Sequence, residues 1–434
     1  MSDNEEVVSH LERYGAAVSQ ELERRRSRRV TDRVSRVRYL VAASIVLVAL
    51  TATTIAIAAS RTSAPAEIAT QGLDPVDEPS SSEPVVEPAN SGYFEVAGPP
   101  SGAENLFPAV SGNDAALLMW GGEDYDGDRV DGGSVYKASD GSWSLMSPSP
   151  LAGRSGSASV WTGSEFIVCC GSLTGPGSTD AGAAYSPSSD SWREIPPSPL
   201  GSVTLASAVW TGTEMVVVGG VRADGVGDAN GTVAAFDPLS NSWRTLASPP
   251  ATIEREPDVA WNGSVLLVWP REAGEASSLL TFDPVAETWT SSEIPEDLRP
   301  DGGTMATAEN GTLVWGVRSD QTTVVGAWLA NGATTWMAIP QPDLPPIVAG
   351  TGVSSGMSSM ASGSKVIVWP GSAGSGGAAS TDTAQILVFD TESMTWGTNI
   401  TTSLPAAQHP PIVAVGDQII VSTGGHLGII PLDS

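Results

Sequence analysis

The sequence predicts an all-β domain, a closed ring of seven four-stranded antiparallel units, carried behind a single membrane-spanning helix. Three observations predict it. A glycine-marked turn followed by an apolar run returns about every fifty residues. In the same frame an aromatic residue is followed, usually seven positions later, by Trp. Ahead of both stands a run of 21 residues without a charge, flanked by arginines.

In chain order, residues 1–38 come first. Val7, Leu11, Tyr14, Val18 and Leu22 recur at spacings of three and four and so line one face of a short helix whose other face is charged. Such a helix pairs with its own copy, lies on lipid, or docks a cytoplasmic partner. Between Arg24 and Arg38 there are eight Arg and one acid, Asp32. Tyr39 to Ala59 then spans about the 30 Å of a bilayer core if helical. The basic flank predicts a cytoplasmic N-terminus and places everything after the span outside, in a single-pass cell-membrane protein. A cleaved signal peptide ending near Ala64-Pro-Ala66 is the alternative; the long leader and the full-length apolar run favour a retained anchor. Residues 60–91 are rich in Pro, Ser and acids and read as an extended stalk, since they have too little apolar surface to fold.

Residues 92–434 carry the repeat. Its glycines are Gly112, Gly163, Gly212, Gly263, Gly311, Gly363 and Gly416, 51, 49, 51, 48, 52 and 53 residues apart. Each is expected to make a hairpin turn with positive φ between two strands. An apolar run such as "EMVVVGG" follows, then a variable loop, then the aromatic phrase. The aromatic pairs are Tyr136/Trp143, Tyr185/Trp192, Phe236/Trp243, Phe282/Trp289 and Phe389/Trp396, with Trp328/Trp336 one residue longer. Forty-seven Gly and 32 Pro suit such a chain of strands and turns.

These marks, with Gly-Gly at Gly121-Gly122, Gly219-Gly220 and Gly424-Gly425, resemble the kelch repeat of the galactose-oxidase-like β-propellers. The resemblance covers residues 93 to about 430 and implies a seven-bladed kelch-type β-propeller; for function it is silent, because such propellers serve as binding platforms and as enzymes alike. Trp269-Pro270, Gly316-Val317, Pro370-Gly371 and Cys170-Gly171 depart from the Gly-Gly mark, so those units are divergent. There are seven turn glycines and only six Trp phrases. The missing outer strand is expected at the other end of the chain, in "GYFEVAGPP", where Tyr93 or Phe94 takes the place of Trp and closes the ring.

A net charge of -28 argues against nucleic acid as a partner. The expected partner is a protein or a cell-envelope glycan, met by the face that holds the loops between strands two and three and the blade-to-blade segments. On that face fall the candidate ligand-binding residues Asp126, Asp228, Arg154, Arg255 and His409. Asp124, Asp126, Asp128 and Asp131 are spaced like an oxygen-rich calcium loop, although the loop lacks the EF-hand's sixth-position Gly and closing Glu. A solvated acidic loop is the competing reading, and calcium is the one cofactor considered.

Three His, one of them the cytoplasmic His10, do not support a His-rich metal centre or the copper site of galactose oxidase. No catalytic motif appears, which favours a non-enzymatic binding, sensing or adaptor module. A carbohydrate-active hydrolase, lyase or epimerase is the alternative, because propeller enzymes assemble sites from several blades without a linear motif. Trp120, Trp269, Trp315 and Trp369 share one repeat position and are expected to pack between blades, with sugar stacking as the functional alternative. Adjacent Cys169 and Cys170, the only cysteines, are either two buried thiols or one strained vicinal disulfide. Asn230, Asn262, Asn310 and Asn399 begin glycosylation sequons.

Overall fold

In the first four units the second strand, Ala116–Trp120, Phe166–Cys169, Met215–Val218 and Leu266–Trp269, is apolar at every position. A strand with one wet face would alternate; one buried on both faces need not. In Ala116–Trp120, Leu117 and Met119 face one apolar cluster while Leu118 and Trp120 face another. Met215 and Val217 likewise face away from Val216 and Val218. Each sheet is therefore packed between two neighbouring sheets, and among the described residues seven such clusters run between successive sheets, the last joining the seventh to the first.

The computed structural model describes residues 94–97 and 107–431, apart from 114, 125, 175–176, 223–231, 252, 254–255, 271–276, 319–322, 343–356, 371–384, 398, 403, 405–410, 417 and 424–425. The amphipathic stretch, the apolar run Tyr39 to Ala59 and the stalk lie outside the described residues. No helix among the described residues is long and apolar enough to cross a membrane.

The architecture is an all-β, seven-bladed propeller. Blade 1 is Ala109–Gly112, Ala116–Trp120, Gly133–Lys137 and Ser142–Leu145, each strand antiparallel to the next. Blades 2 to 6 repeat that order, starting at Ala158–Trp161, Ser207–Trp210, Asp258–Trp261, Gly302–Ala308 and Ser358–Ser362. The first strands touch one another all the way round, and Ile412–Val415 of blade 7 returns to Ala109–Gly112 of blade 1. Blade 7 closes as expected: Phe94–Ala97, from the beginning of the domain, pairs antiparallel with His426–Pro431, Phe94 opposite Ile429.

Five aromatic residues stand directly opposite their Trp seven positions on, with ring centroids 5.0 to 5.2 Å apart. Blade 5 differs. Trp328 is opposite Met337, not Trp336: this hairpin pairs residues nine apart rather than seven, two more than in the other blades, while the Trp lies only one residue further on. Trp336 turns inward instead and donates from Nε1 to the Ser292 hydroxyl of blade 4.

Two of the repeat glycines correct the expectation of a positive-φ turn. Gly163, Gly212, Gly263, Gly363 and Gly416 have positive φ. Gly112 instead ends a strand, and a β-carbon there would collide with the Ala414 carbonyl of blade 7; at Gly311 it would collide with the Trp328 ring. Both are glycine for close approach rather than for a turn.

Candidate functional site

Antiparallel order sends the loops between strands two and three, and the blade-to-blade segments, to one face of the ring. At blades 2 and 3 that face is thickened by two short ribbons, Arg154–Ser155 with Ser172–Leu173 and Val203–Thr204 with Val221–Arg222. Each ribbon ties the segment entering a blade to that blade's own loop.

One residue beyond those ribbons the chain does something the repeat alone does not announce. Phe107, Gly156, Leu205 and Glu256 stand at one frame position just before the first strands of blades 1 to 4, all in the left-handed region, with φ of 53, 61, 57 and 46°. Their backbones form a relay. The Gly156 N–H donates to the Phe107 carbonyl at 3.1 Å, Leu205 to Gly156 at 2.9 Å, and Glu256 to Leu205 at 2.8 Å. Left-handed backbone is costly for a side chain as large as Phe, Leu or Glu, and it persists where the surroundings hold it. Here the relay provides that hold.

The relay borders a cavity of about 300 Å³ at the axial mouth. Phe107 and Leu205 line it together with Glu256, Asp258, Ser157, Ser207, Ser358 and Ser359. Space of about 340 Å³ continues along the first strands, past Val110, Ser159 and Val259. Phe107 is 48% exposed, the one large aromatic so placed among the described residues. The charged side chains lining the mouth, among the described residues, are both acidic. The Asp258 carboxylate also accepts the Met305 N–H of blade 5 at 2.7 Å, which fixes its orientation.

Of the residues singled out from sequence, the described ones fall elsewhere. Arg154 does not line the mouth. It is 3% exposed in the seam between blades 1 and 2, and its guanidinium donates to the carbonyls of Ala152, Ala181 and Cys170 and lies 5.8 Å from the centre of the Trp120 ring. Burial lowers its pKa, with carbonyls rather than a carboxylate as its hydrogen-bond acceptors. Asp228, Arg255 and His409 lie outside the described residues.

Asp126 is exposed in the loop between strands two and three of blade 1. Asp124 does not turn outward toward a cation: its carboxylate accepts the backbone N–H groups of Asp126 and Asp128 and so caps its own turn. Glu123 pairs with Arg129, which also donates to Ser172 of blade 2. Asp124, Asp126, Asp128 and Asp131 are not brought together as ligands, and among the described residues no group of three His, Cys, Asp or Glu is placed to hold a metal.

Trp120, Trp269, Trp315 and Trp369 are at most 1% exposed and pack in the seams; burial leaves no ring face for a sugar. The Asn262 carboxamide oxygen accepts the N–H groups of Ser264 and Val265, and Asn310 Nδ2 donates to the Thr391 carbonyl.

Glu256, next to the candidate Arg255, is not marked by any motif of its own in the sequence. A signal was there: Phe107-Pro108 and Glu256-Pro257 occupy the same repeat position. In comparison with known proteins, no family model matches the chain and no curated protein matches it significantly.

Proposed function

We propose that this chain is a membrane-anchored, extracytoplasmic binding or sensing module of the kelch type, taking a protein segment or an envelope glycan at the axial mouth of its propeller. The observation that carries the reading is the cavity itself: a concave, partly apolar site bordered by left-handed, hydrogen-bonded backbone from four blades, with four serines and two acidic residues in its lining. An acidic mouth repels phosphate and favours ammonium, guanidinium or sugar hydroxyls. The anchor and the outward topology rest on the basic flank and the apolar run of the sequence. The kelch grouping rests on the five opposed aromatic–Trp pairs.

A glycan-active enzyme is the second reading, and one observation favours it: Glu256 and Asp258 put two acidic residues, the type that glycoside hydrolysis uses, in the lining of one cavity. Against it, Arg154, the described arginine such a site was expected to use, is held by carbonyls away from the mouth.

The test is photo-crosslinking on the full-length protein in intact cells, with probes at Ser207 and Ser358 in the mouth and at Thr162 and Leu239 in turns of the opposite face. Capture of one protein from the mouth alone supports a receptor or adaptor. A glycan array probed with the full-length chain, wild type and Ser207→Trp, covers the other ligand class. Binding abolished by the Trp supports the mouth. Equal capture at both faces, together with no array signal that the Trp removes, overturns the proposal; turnover of a bound glycan, lost in Glu256→Gln, moves the chain to the enzyme class.

A further inference from the structure

Cys169 ends the second strand of blade 2, and Cys170 follows it at a position where blades 1 and 3 have glycine. Gly121 and Gly219 there have φ of 73 and 71°, and Cys170 has φ of 65°, so a residue with a β-carbon has adopted the glycine conformation. In that conformation its Sγ lies 2.9 Å from Cys169 Sγ, and both residues are fully buried among the apolar side chains of the seam between blades 2 and 3. The backbone around the pair is pinned: the Cys170 N–H donates to Ala181, and its carbonyl accepts from Ser157 Oγ at 3.1 Å and Arg154 Nη1 at 3.3 Å. No other thiol exists in the chain to compete for either sulfur.

We propose that Cys169 and Cys170 close a vicinal disulfide as blade 2 folds, a strained cross-link whose presence is felt at the axial mouth through the Cys170 carbonyl and Ser157. The bond forms by exchange. Two cysteine thiols and one external disulfide, that of glutathione or of a thiol–disulfide exchange protein, give the Sγ–Sγ bond and two external thiols; each cysteine sulfur gives up one electron, and the two protons pass to the external sulfurs. Both sulfurs are enclosed in the folded chain, and the hydrogen bond between them, then burial, raise the Cys169 pKa, so exchange belongs to the stage before blades 2 and 3 dock. Adjacent α-carbons are about 3.8 Å apart, closer than the roughly 4.4 to 6.8 Å of ordinary disulfides. The ring is strained for that reason, and a strained disulfide is among the more easily reduced. Ser157 lines the mouth, so a shift of the carbonyl it holds reaches the cavity wall.

The experiment uses the full-length protein from producing cells, quenched in acid and alkylated under denaturing conditions, with mass spectrometry of the peptide spanning both cysteines. A second sample is reduced, unfolded and refolded in glutathione buffer poised toward the disulfide. The expected peptide is unlabelled, lighter by two hydrogens, and takes two labels only after a phosphine reductant. Such a peptide in either sample supports the bond; both cysteines labelled in both samples overturns it. Cys169→Val with Cys170→Gly, which rebuilds the Val218-Gly219 end of blade 3, is the stability control. Reduction is expected to lower the wild-type unfolding midpoint and leave that of the double variant unmoved.

Discussion

The indole N–H of Trp243 in blade 3 donates to the carbonyl of Pro196, 2.8 Å away, at the end of the outer strand of blade 2. The same bond recurs from Trp192 to Ser147, Trp289 to Ala247 and Trp396 to Pro340, each reaching back one blade. The Trp that pairs with an aromatic residue inside its own blade thus also latches that blade to the previous one. Replacing Trp243 by Phe keeps the ring stacked on Phe236 and removes the latch. The expected cost is about 1 kcal/mol, the worth of one partly buried hydrogen bond. Trp243→Ala loses the packing as well and is expected to cost about 3 kcal/mol in urea unfolding. Equal effects of the two variants would show that the latch contributes nothing.

Glu287 occupies a left-handed turn position, φ 54°, where blade 3 has Asn241 and blade 1 has Gly141. Asn tolerates that conformation better than Glu. Glu287→Asn is therefore expected to raise stability by about 0.5 kcal/mol, even after losing a 3.8 Å ion pair to Arg244 that is exposed and worth little. The reverse change, Gly141→Ala, meets only the Tyr136 hydroxyl at ordinary contact distance, so its cost of about 1 kcal/mol is conformational. Thermal unfolding of the two variants reads both signs.

Phe94–Ala97 is the only strand of blade 7 that comes from the other end of the domain. Replacing residues 92–97 by a Gly/Ser linker removes the ladder along four residues and opens a sheet edge along His426–Pro431. The expected loss is roughly 2 to 5 kcal/mol, at about 1 kcal/mol per ladder bond. Size-exclusion chromatography should show association through the bared edge; a monomer of unchanged stability would contradict the closure.

Asp390 accepts from Lys365 Nζ at 2.6 Å and from the backbone N–H groups of Glu392 and Ser393. These contacts, the lysine first, hold its pKa well below the ordinary carboxylate value. A depressed folded-state pKa means that the stabilisation is present above the unfolded value of about 3.9 and is lost as pH falls through the folded one. Wild type is expected to exceed Asp390→Asn by up to about 1 kcal/mol from pH 7 down to about 5, with the gap closing below pH 4. A gap independent of pH would assign the effect to the turn rather than to the charge.

Arg154→Lys keeps the charge but cannot span the three carbonyls that the guanidinium fork reaches. The expected loss is about 2 kcal/mol, with the blade 1–blade 2 seam opening first in hydrogen exchange at Gly122, whose N–H donates to the Arg154 carbonyl. Ligand capture at the mouth is expected to survive in the folded fraction. Lost capture at full stability would return Arg154 to the binding site.

The aromatic–Trp pairs were legible because a tight hairpin places residues seven apart directly opposite, a relation internal to nine or ten residues. The closing strand was legible by counting, since a unit short of its fourth strand needs one. Gly112, Gly311 and Trp336 were misassigned on the same local logic: what decides them is the backbone of blade 7, the ring of Trp328 and the hydroxyl of Ser292. No pattern within one repeat contains those partners.

The division follows chain distance. The sequence by itself determined the all-β class, the seven blades and the strand that closes them, because hairpin turns, apolar runs and aromatic–Trp phrases are encoded in neighbouring residues and recur about every fifty. Only the tertiary structure decided that Arg154 is a seam residue, that Asp124 caps its own turn, and that Phe107, Gly156, Leu205 and Glu256 join in one relay around the mouth. Those four lie about one repeat apart, and what brings them together is the closure of the ring, which buries both faces of every blade against its neighbours.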